Sequence, residues 1–370
     1  MDAVDRVATV RRWLGSLVLL AFGVATAGLL LEGLVLLFFG EQPKFPRHVV
    51  GSAFGLRINE PSARYRHKSA DVTIWLKING QGFRSDREYR YEKEPGTKRI
   101  VVLGDSYTIG YEVPSEATYA SVLESSLRAR GYPAEVLNAG VSGYSNAEEY
   151  LYLERELLKY QPDAVVMGFY GGNDLVDNVR TNLFRLENGQ LVESASSYVP
   201  MGRLANFLNT NPFFNLLSER SNAFVFLKER LTDALKKDLV QDNLRTLEQA
   251  ESKADPSRKG SYERLLGAAI FERLYETTRA RHISLIILSI PTLRGNPNRL
   301  IDGFPFESFP VDRPAFAYIS AKELLEPHLG KELLYWTRSH YHWTPFAHRQ
   351  AGEALADRIV GQRLLDGESN

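Results

Sequence analysis

The most apolar stretch of the chain runs from Trp13 to Phe39 and holds a single charged side chain, Glu32. As a helix it more than covers the roughly 30 Å of hydrocarbon in a bilayer, so 13–39 is read as a transmembrane anchor. Ala25-Thr-Ala27 has the small-residue spacing of a signal-peptidase site, which leaves cleavage as the alternative, yet 29–39 continues strongly apolar beyond it. Arg6, Arg11 and Arg12 precede the span and Lys44 and Arg47 follow it. This slight excess places residues 1–12 in the cytoplasm and the rest outside it, in the periplasm of a Gram-negative cell. Glu32 is expected either to shift towards the interface or to face a partner helix.

Further along, short continuous apolar runs alternate with amphipathic segments. Arg99 to Leu103, Ala134 to Ala139, Asp163 to Tyr170 and Ile283 to Ile290 read as buried parallel strands, and Glu332 to Trp336 as the fifth. Between them, Tyr119, Val122, Leu123 and Leu127 share one face of a helix that closes at Gly131. Ser145-Asn-Ala-Glu148 is a capping box, and its helix stops before Pro162. A third helix covers about 261–281, and Thr344-Pro345 reads as N-cap and first position of a terminal one. The pattern predicts an α/β fold: a three-layer, doubly wound α/β/α sandwich on a roughly five-stranded parallel sheet, occupying 98–362. Residues 363–370 form a polar tail.

Two segments interrupt the pattern. Residues 40–97 read as a juxtamembrane stalk with a small β element: a strand at 72–78, a turn at Asn79-Gly80, and a returning strand from Gly82-Phe-Arg84. Residues 180–258, which leave from the loop after Gly171-Gly-Asn-Asp174, read as an insertion covering the active-site edge, with Pro200, Pro212 and a charged helical stretch at 223–251. Its aromatic residues Phe207, Phe213, Phe214, Phe224 and Phe226 are assigned to core packing, with contact to a membrane or partner as the alternative.

Composition narrows the chemistry. The 370 residues carry 45 basic and 45 acidic side chains, so no overall field favours nucleic acid or an anionic surface. There is no cysteine, which excludes disulfides, thiol catalysis and thiolate metal sites. No P-loop or dinucleotide fingerprint occurs, and no cofactor is expected. His340, His342 and His348 lack acidic or thiol partners at ligand spacing, so no metal is assigned.

Four short blocks remain: Gly104-Asp-Ser106, Asn138-Ala-Gly-Val-Ser-Gly-Tyr144, Gly171-Gly-Asn-Asp174 and His342-Trp-Thr-Pro345. Three follow apolar runs, where open α/β sheets place their chemistry. A serine at a strand-to-helix turn can serve as nucleophile, and a histidine, titrating near neutral pH, as its base. Glycine lets an amide approach an oxyanion closely, and an asparagine side chain can donate to it. In this order the blocks resemble the SGNH hydrolases of the GDSL esterase/lipase family, membrane-anchored members of which carry a stretch like Asn79 to Arg84 before the core. The resemblance implies catalytic Ser106 and His342, and an oxyanion hole from the amide of Ser106, Gly143 and Asn173. Gly140 competes with Gly143 but fits the block less well.

One departure stands out. The family carries an aspartate two or three residues before its histidine, where this chain has His340 and Ser339. Orientation of His342 by His340 or Ser339, by a backbone carbonyl, or by Asp302 or Asp312 is left open. The resulting expectation is a membrane-anchored extracytoplasmic serine esterase that removes O-acyl groups, acetyl among them, from an envelope or secreted carbohydrate. Acylated small molecules, a lipase-like role and glycan O-acyl transfer are the neighbouring possibilities. A carbohydrate-binding or assembly component with a degenerate triad is the alternative of another class.

Overall fold

The computed structural model describes residues 3–44, 49–196, 211–234, 261–295 and 298–366, together with Phe207, 237–238 and 241. Pro200 and most of the charged stretch after residue 234 lie outside the described residues.

Five parallel strands form the central sheet: β5 (Lys98–Gly104), β6 (Ala134–Asn138), β7 (Ala164–Tyr170), β10 (Ser284–Ile290) and β13 (Phe316–Ser320), in the order β13-β10-β7-β5-β6. With the first strand beside the second and third, this is a doubly wound order whose switch point lies between β5 and β7. The two-residue period of a strand sends alternate side chains of β5 into different layers. Ile100 and Val102 meet Leu123 of α3 (Tyr119–Ala129) and Leu355 of α10 (Pro345–Gly361). Val101 and Leu103 meet Leu151 of α4 (Asn146–Arg155) and Ile270 of α8 (Tyr262–Arg279). Both faces are therefore dry, as continuous apolar strands require.

Local rules explain most boundaries. Ser145 caps α4 in a full capping box with Glu148. Gly131 takes a positive φ of 86° just beyond α3. The fifth strand, by contrast, is Phe316–Ser320 and not Glu332 to Trp336. Phe316, Ala317 and Ile319 are buried against the sheet, whereas Glu332 and Leu333 are exposed and that segment makes only isolated bridges. Leu334 and Tyr335 are buried as well, so ladder pairing with β10, and not burial, separates two stretches of strand-like composition.

The segment ahead of the core forms two hairpins: β1 (Val49–Gly51) with β2 (Arg57–Asn59), and β3 (Arg64–Lys68) with β4 (Thr73–Lys77). The strand over 72–78 thus pairs backwards with β3, and Gly82-Phe-Arg84 does not return as a strand. The Asn79 side chain turns the chain by accepting from the amides of Gln81 and Phe83 at 3.0 and 2.9 Å. Arg84 then points into the core, 3% exposed. Tyr65, Leu76 and Ile78 pack with Ile109 and Tyr111 of the loop after β5.

The apolar amino-terminal segment is one helix, α1 (Ala3–Phe39). Its residues 11–39 meet the length and hydropathy needed to cross a membrane, a test that a signal sequence also passes, and side chains 11–31 are exposed throughout.

Candidate active site

The site forms at the carboxyl ends of β5, β6 and β7. Gly104, at the end of β5, has φ of 150°, and a Cβ there would sit 1.9 Å from Thr108 Oγ1, so the turn into α2 (Ser106–Ile109) requires glycine. Asp105 caps this short helix by accepting from the Tyr107 amide at 2.9 Å. Burial raises its carboxyl to a pKa of about 6, against the lowering effect of that amide. Ser106 follows and presents its Oγ 2.9 Å from Nε2 of His342.

His342 arrives from a loop more than two hundred residues away and is only 6% exposed. Its carbonyl accepts from the Trp336 amide at 2.9 Å, and the Tyr107 hydroxyl donates to the Tyr341 carbonyl at 2.8 Å. The rings of Tyr107 and Tyr111 meet the imidazole edge-on at 5.1 and 5.7 Å, which fixes its plane.

The carboxylate absent from the sequence around His342 is present in space. Glu112, six positions after Ser106, is fully buried and places Oε2 3.4 Å from His342 Nδ1, with neither atom engaged by another hydrogen-bond partner. That distance is long for a hydrogen bond and sits well within ion-pair range. The other oxygen, Oε1, accepts from His67 Nε2 at 3.0 Å and from the Ser339 hydroxyl. Burial alone would raise the Glu112 carboxyl, but His342 and His67 outweigh it and hold it well below the usual carboxylate range. Burial pushes the His67 imidazole down, which favours its neutral form, and opposite a carboxylate oxygen its Nε2 is the donor.

Glu112 occupies the left-handed region with φ of 68°, a costly conformation for a residue with a Cβ. Arg84 holds the loop in that shape by donating to the carbonyls of Ile109 (2.6 Å), Gly110 and Val113 (2.6 Å). Trp336 adds a bond from Nε1 to the Glu112 carbonyl at 3.1 Å. The signal available in the sequence was a lone acid inside the apolar-aromatic loop Ile109-Gly-Tyr-Glu-Val113.

Other expected residues fall as follows. Ser106, Gly143, Asn173, Ser339, His340 and His342 all line one cleft of about 560 Å³. Gly143 has φ of 72°, and its carbonyl is held by Arg57 and by Arg180 at 3.2 Å, while its N–H has no protein acceptor among the described residues. Asn173 Nδ2 donates to Asp177 at 3.0 Å, leaving one hydrogen of the amide group. Gly140 is a packing glycine: a Cβ would lie 2.4 Å from the Ile109 amide nitrogen. Ser339 touches Glu112 and not the imidazole, and the His340 ring lies 5.9 Å from that of His342. Asp302 is taken up by Ser289, Tyr318, Ser320 and the Phe304 amide, and Asp312 is exposed. His348 is buried against Tyr119, whose amide donates to its Nδ1 at 3.2 Å, and burial lowers its pKa to about 3. Among the described residues no group of three or more histidine, aspartate or glutamate side chains is arranged to hold a metal.

A family model for the GDSL-like lipase/acylhydrolases matches residues 102–304, more than half of the chain. The chain belongs to that family. A 78-residue stretch of this GDSL-like chain, 21% of its length, is 32% identical to an arylesterase of Vibrio mimicus and spans 38% of that protein. Among solved structures it is similar to a lipolytic protein of the G-D-S-L family from Desulfitobacterium hafniense, with 15% identity, 71% and 99% of the two chains covered and a TM-score of 0.38. A lipase/acylhydrolase from Enterococcus faecalis gives 16%, 72% and 96%, and 0.34. An acetylxylan esterase from Geobacillus stearothermophilus gives 13%, 71% and 94%, and 0.36.

Proposed function

We propose that the protein is a serine esterase, anchored by α1 with its α/β body outside the cytoplasm, that removes O-acyl groups such as acetyl from an envelope or secreted carbohydrate. The observation that carries the esterase reading is the 2.9 Å contact between Ser106 Oγ and His342 Nε2, backed by a buried carboxylate. As Oγ attacks the acyl carbon, its proton passes to Nε2, and the imidazolium so formed faces the Glu112 charge. Collapse of the tetrahedral intermediate returns the proton to the departing alcohol. Water, deprotonated by the same ring, then releases the acyl group from Ser106. The amides of Ser106 and Gly143 and the remaining hydrogen of Asn173 Nδ2 serve the oxyanion.

The carbohydrate reading draws on the cleft wall. Gln42, Ser142, Asp177, Glu229, Asp233 and Arg338 give it many hydrogen-bonding groups. Such a wall suits a small acyl group on a hydroxyl-rich scaffold better than a long alkyl chain.

A serine-reactive fluorophosphonate should label the wild type and leave Ser106→Ala unlabelled, and acetate should be released from an acetylated glycan by the wild type alone. Equal lack of labelling in both would overturn the esterase reading in favour of a binding or assembly role. Product analysis with an acetyl donor, with and without glycan, separates hydrolysis from acyl transfer.

A further inference from the structure

The last two turns of α1 are built into the catalytic body. Glu32 accepts from the amides of Asn222 and Ala223 at 2.8 and 2.9 Å, the Ser221 hydroxyl at 2.8 Å and the Asn222 side chain at 2.6 Å. These groups form the start of a helix over 222–234, α7, so the one carboxylate of the apolar segment meets a helix N-terminus. Val35 is 2% exposed, and the Phe39 ring lies 4.4 Å from that of Phe226, one turn further along α7. Asn222 also accepts from the Gln42 amide at 2.9 Å.

Length sets the depth of this junction. The 29 residues of 11–39 extend about 43 Å, against about 30 Å of hydrocarbon, so with Arg11 and Arg12 at one face roughly the last nine residues, about 13 Å, rise beyond the hydrocarbon through the opposite headgroup layer. Glu32 then sits at the hydrocarbon boundary, and the corner joining α6 (Pro212–Arg220) to α7 sits there with it. That corner carries apolar side chains turned to the outside: Phe213 is 62% and Leu227 53% exposed. Phe213 stacks edge-on against Phe214, which in turn meets Phe224 in the first turn of α7, the turn that clasps Glu32.

We infer that the α6–α7 corner is an interfacial platform: Glu32 keys it to the membrane helix, and its outer face, including Phe213 and Leu227, rests in the headgroup and upper acyl layer of a phospholipid bilayer. The catalytic cleft shares this boundary, since Phe39, Gln42 and Pro43 of the helix exit and Val225 of α7 line it beside Ser106 and His342. The acylated substrate is accordingly met at the bilayer surface. This inference rests on the reading of α1 as a retained membrane helix, and the experiment below separates the failure of one from that of the other.

The chain has no cysteine, so a single introduced thiol gives a unique spin-label site in the full-length protein. In nanodiscs of phosphatidylcholine and phosphatidylglycerol, labels at Phe213→Cys and Leu227→Cys should relax with lipid-soluble oxygen and be shielded from a water-soluble nickel chelate. Leu20→Cys, in mid-helix, provides the deep reference, and Tyr91→Cys, 45% exposed on the body, the aqueous one. Glu32→Ala should return the Leu227→Cys label to the nickel-accessible state. If positions 213 and 227 match position 91 while position 20 stays in lipid, the platform is wrong and the anchor stands. If position 20 is itself in water or lost by processing, the anchor reading fails. An unchanged label in Glu32→Ala would overturn the role of Glu32 as the clasp.

Discussion

Glu112 beside His342 and Asp105 beside Ser106 belong to two sets of buried carboxylates, and their surroundings shift the two sets in opposite directions. Glu112 faces two imidazoles and a hydroxyl and is held ionised. On the other side Asp105, Glu149 and Asp174 are buried near one another, and their named donors are backbone amides, Asn146 and, at 3.5 Å, the Ser106 hydroxyl, none of them a charged or imidazole group. Burial raises all three, Asp105 to about 6 and the other two well above their ordinary values. Depth is common to both sets and the partner differs. Burial pushes every such carboxyl up; imidazole donors opposite Glu112 outweigh it, whereas neighbouring carboxylates add to it around Glu149 and Asp174.

The hardest test of this contrast is Glu112→Gln. The amide keeps the shape and removes the charge that the protonated His342 ring would face, so kcat/KM should fall on the order of 10³-fold, with KM little changed. Steady-state kinetics on a soluble acetyl ester would show it. Adding His340→Asp to this variant supplies a carboxylate two positions before the histidine, and partial recovery would show that Glu112 fills that place from another element. A loss below tenfold in Glu112→Gln would mean that the 3.4 Å pair is structural and that another group orients the ring.

That residue also marks where sequence legibility ends. The strands at 99–103, 134–139, 163–170 and 283–290 were readable because a doubly buried parallel strand leaves a continuous apolar run, and the Ser145–Glu148 box because capping is local. The serine and histidine could be named because each lies in a short block whose order resembles a family pattern. Glu112 belongs to no such block: it meets His342 across 230 positions, through a loop whose shape depends on Arg84 and on a positive φ. The exchange of Phe316–Ser320 for Glu332 to Trp336 has a related cause, since the edge position is settled by pairing with β10, a non-local contact that a local apolar run does not show.

Arg84→Met tests the support of the Glu112 side alone. The guanidinium is buried, and burial lowers its pKa to about 10, yet it still carries its charge at neutral pH. Methionine keeps the bulk and strips donors from three carbonyls, so stability should drop by about 3–5 kcal/mol in urea unfolding. Activity of the folded fraction should also fall, because the loop bearing Glu112 loses its shape. Arg84→Met with unchanged kinetics would show that the loop holds itself.

The smallest effect belongs to the opposite side and has a sign that can be worked out. Glu149 has a folded pKa well above 4.5, so between its unfolded and folded values the native state binds more protons than the unfolded chain. Stability then falls as pH rises through that window, and below the unfolded value the contribution is flat. Glu149→Gln removes this titration while its side-chain carbonyl can still accept from Asn146, which donates to Glu149 at 3.1 Å. The variant should therefore be more stable than the wild type at pH 8, with the gap closing towards pH 4. Thermal unfolding across that range would read it. A gap of constant size would mean that Glu149 stays ionised in the fold, and the two carboxylate sets would then differ in geometry but not in charge.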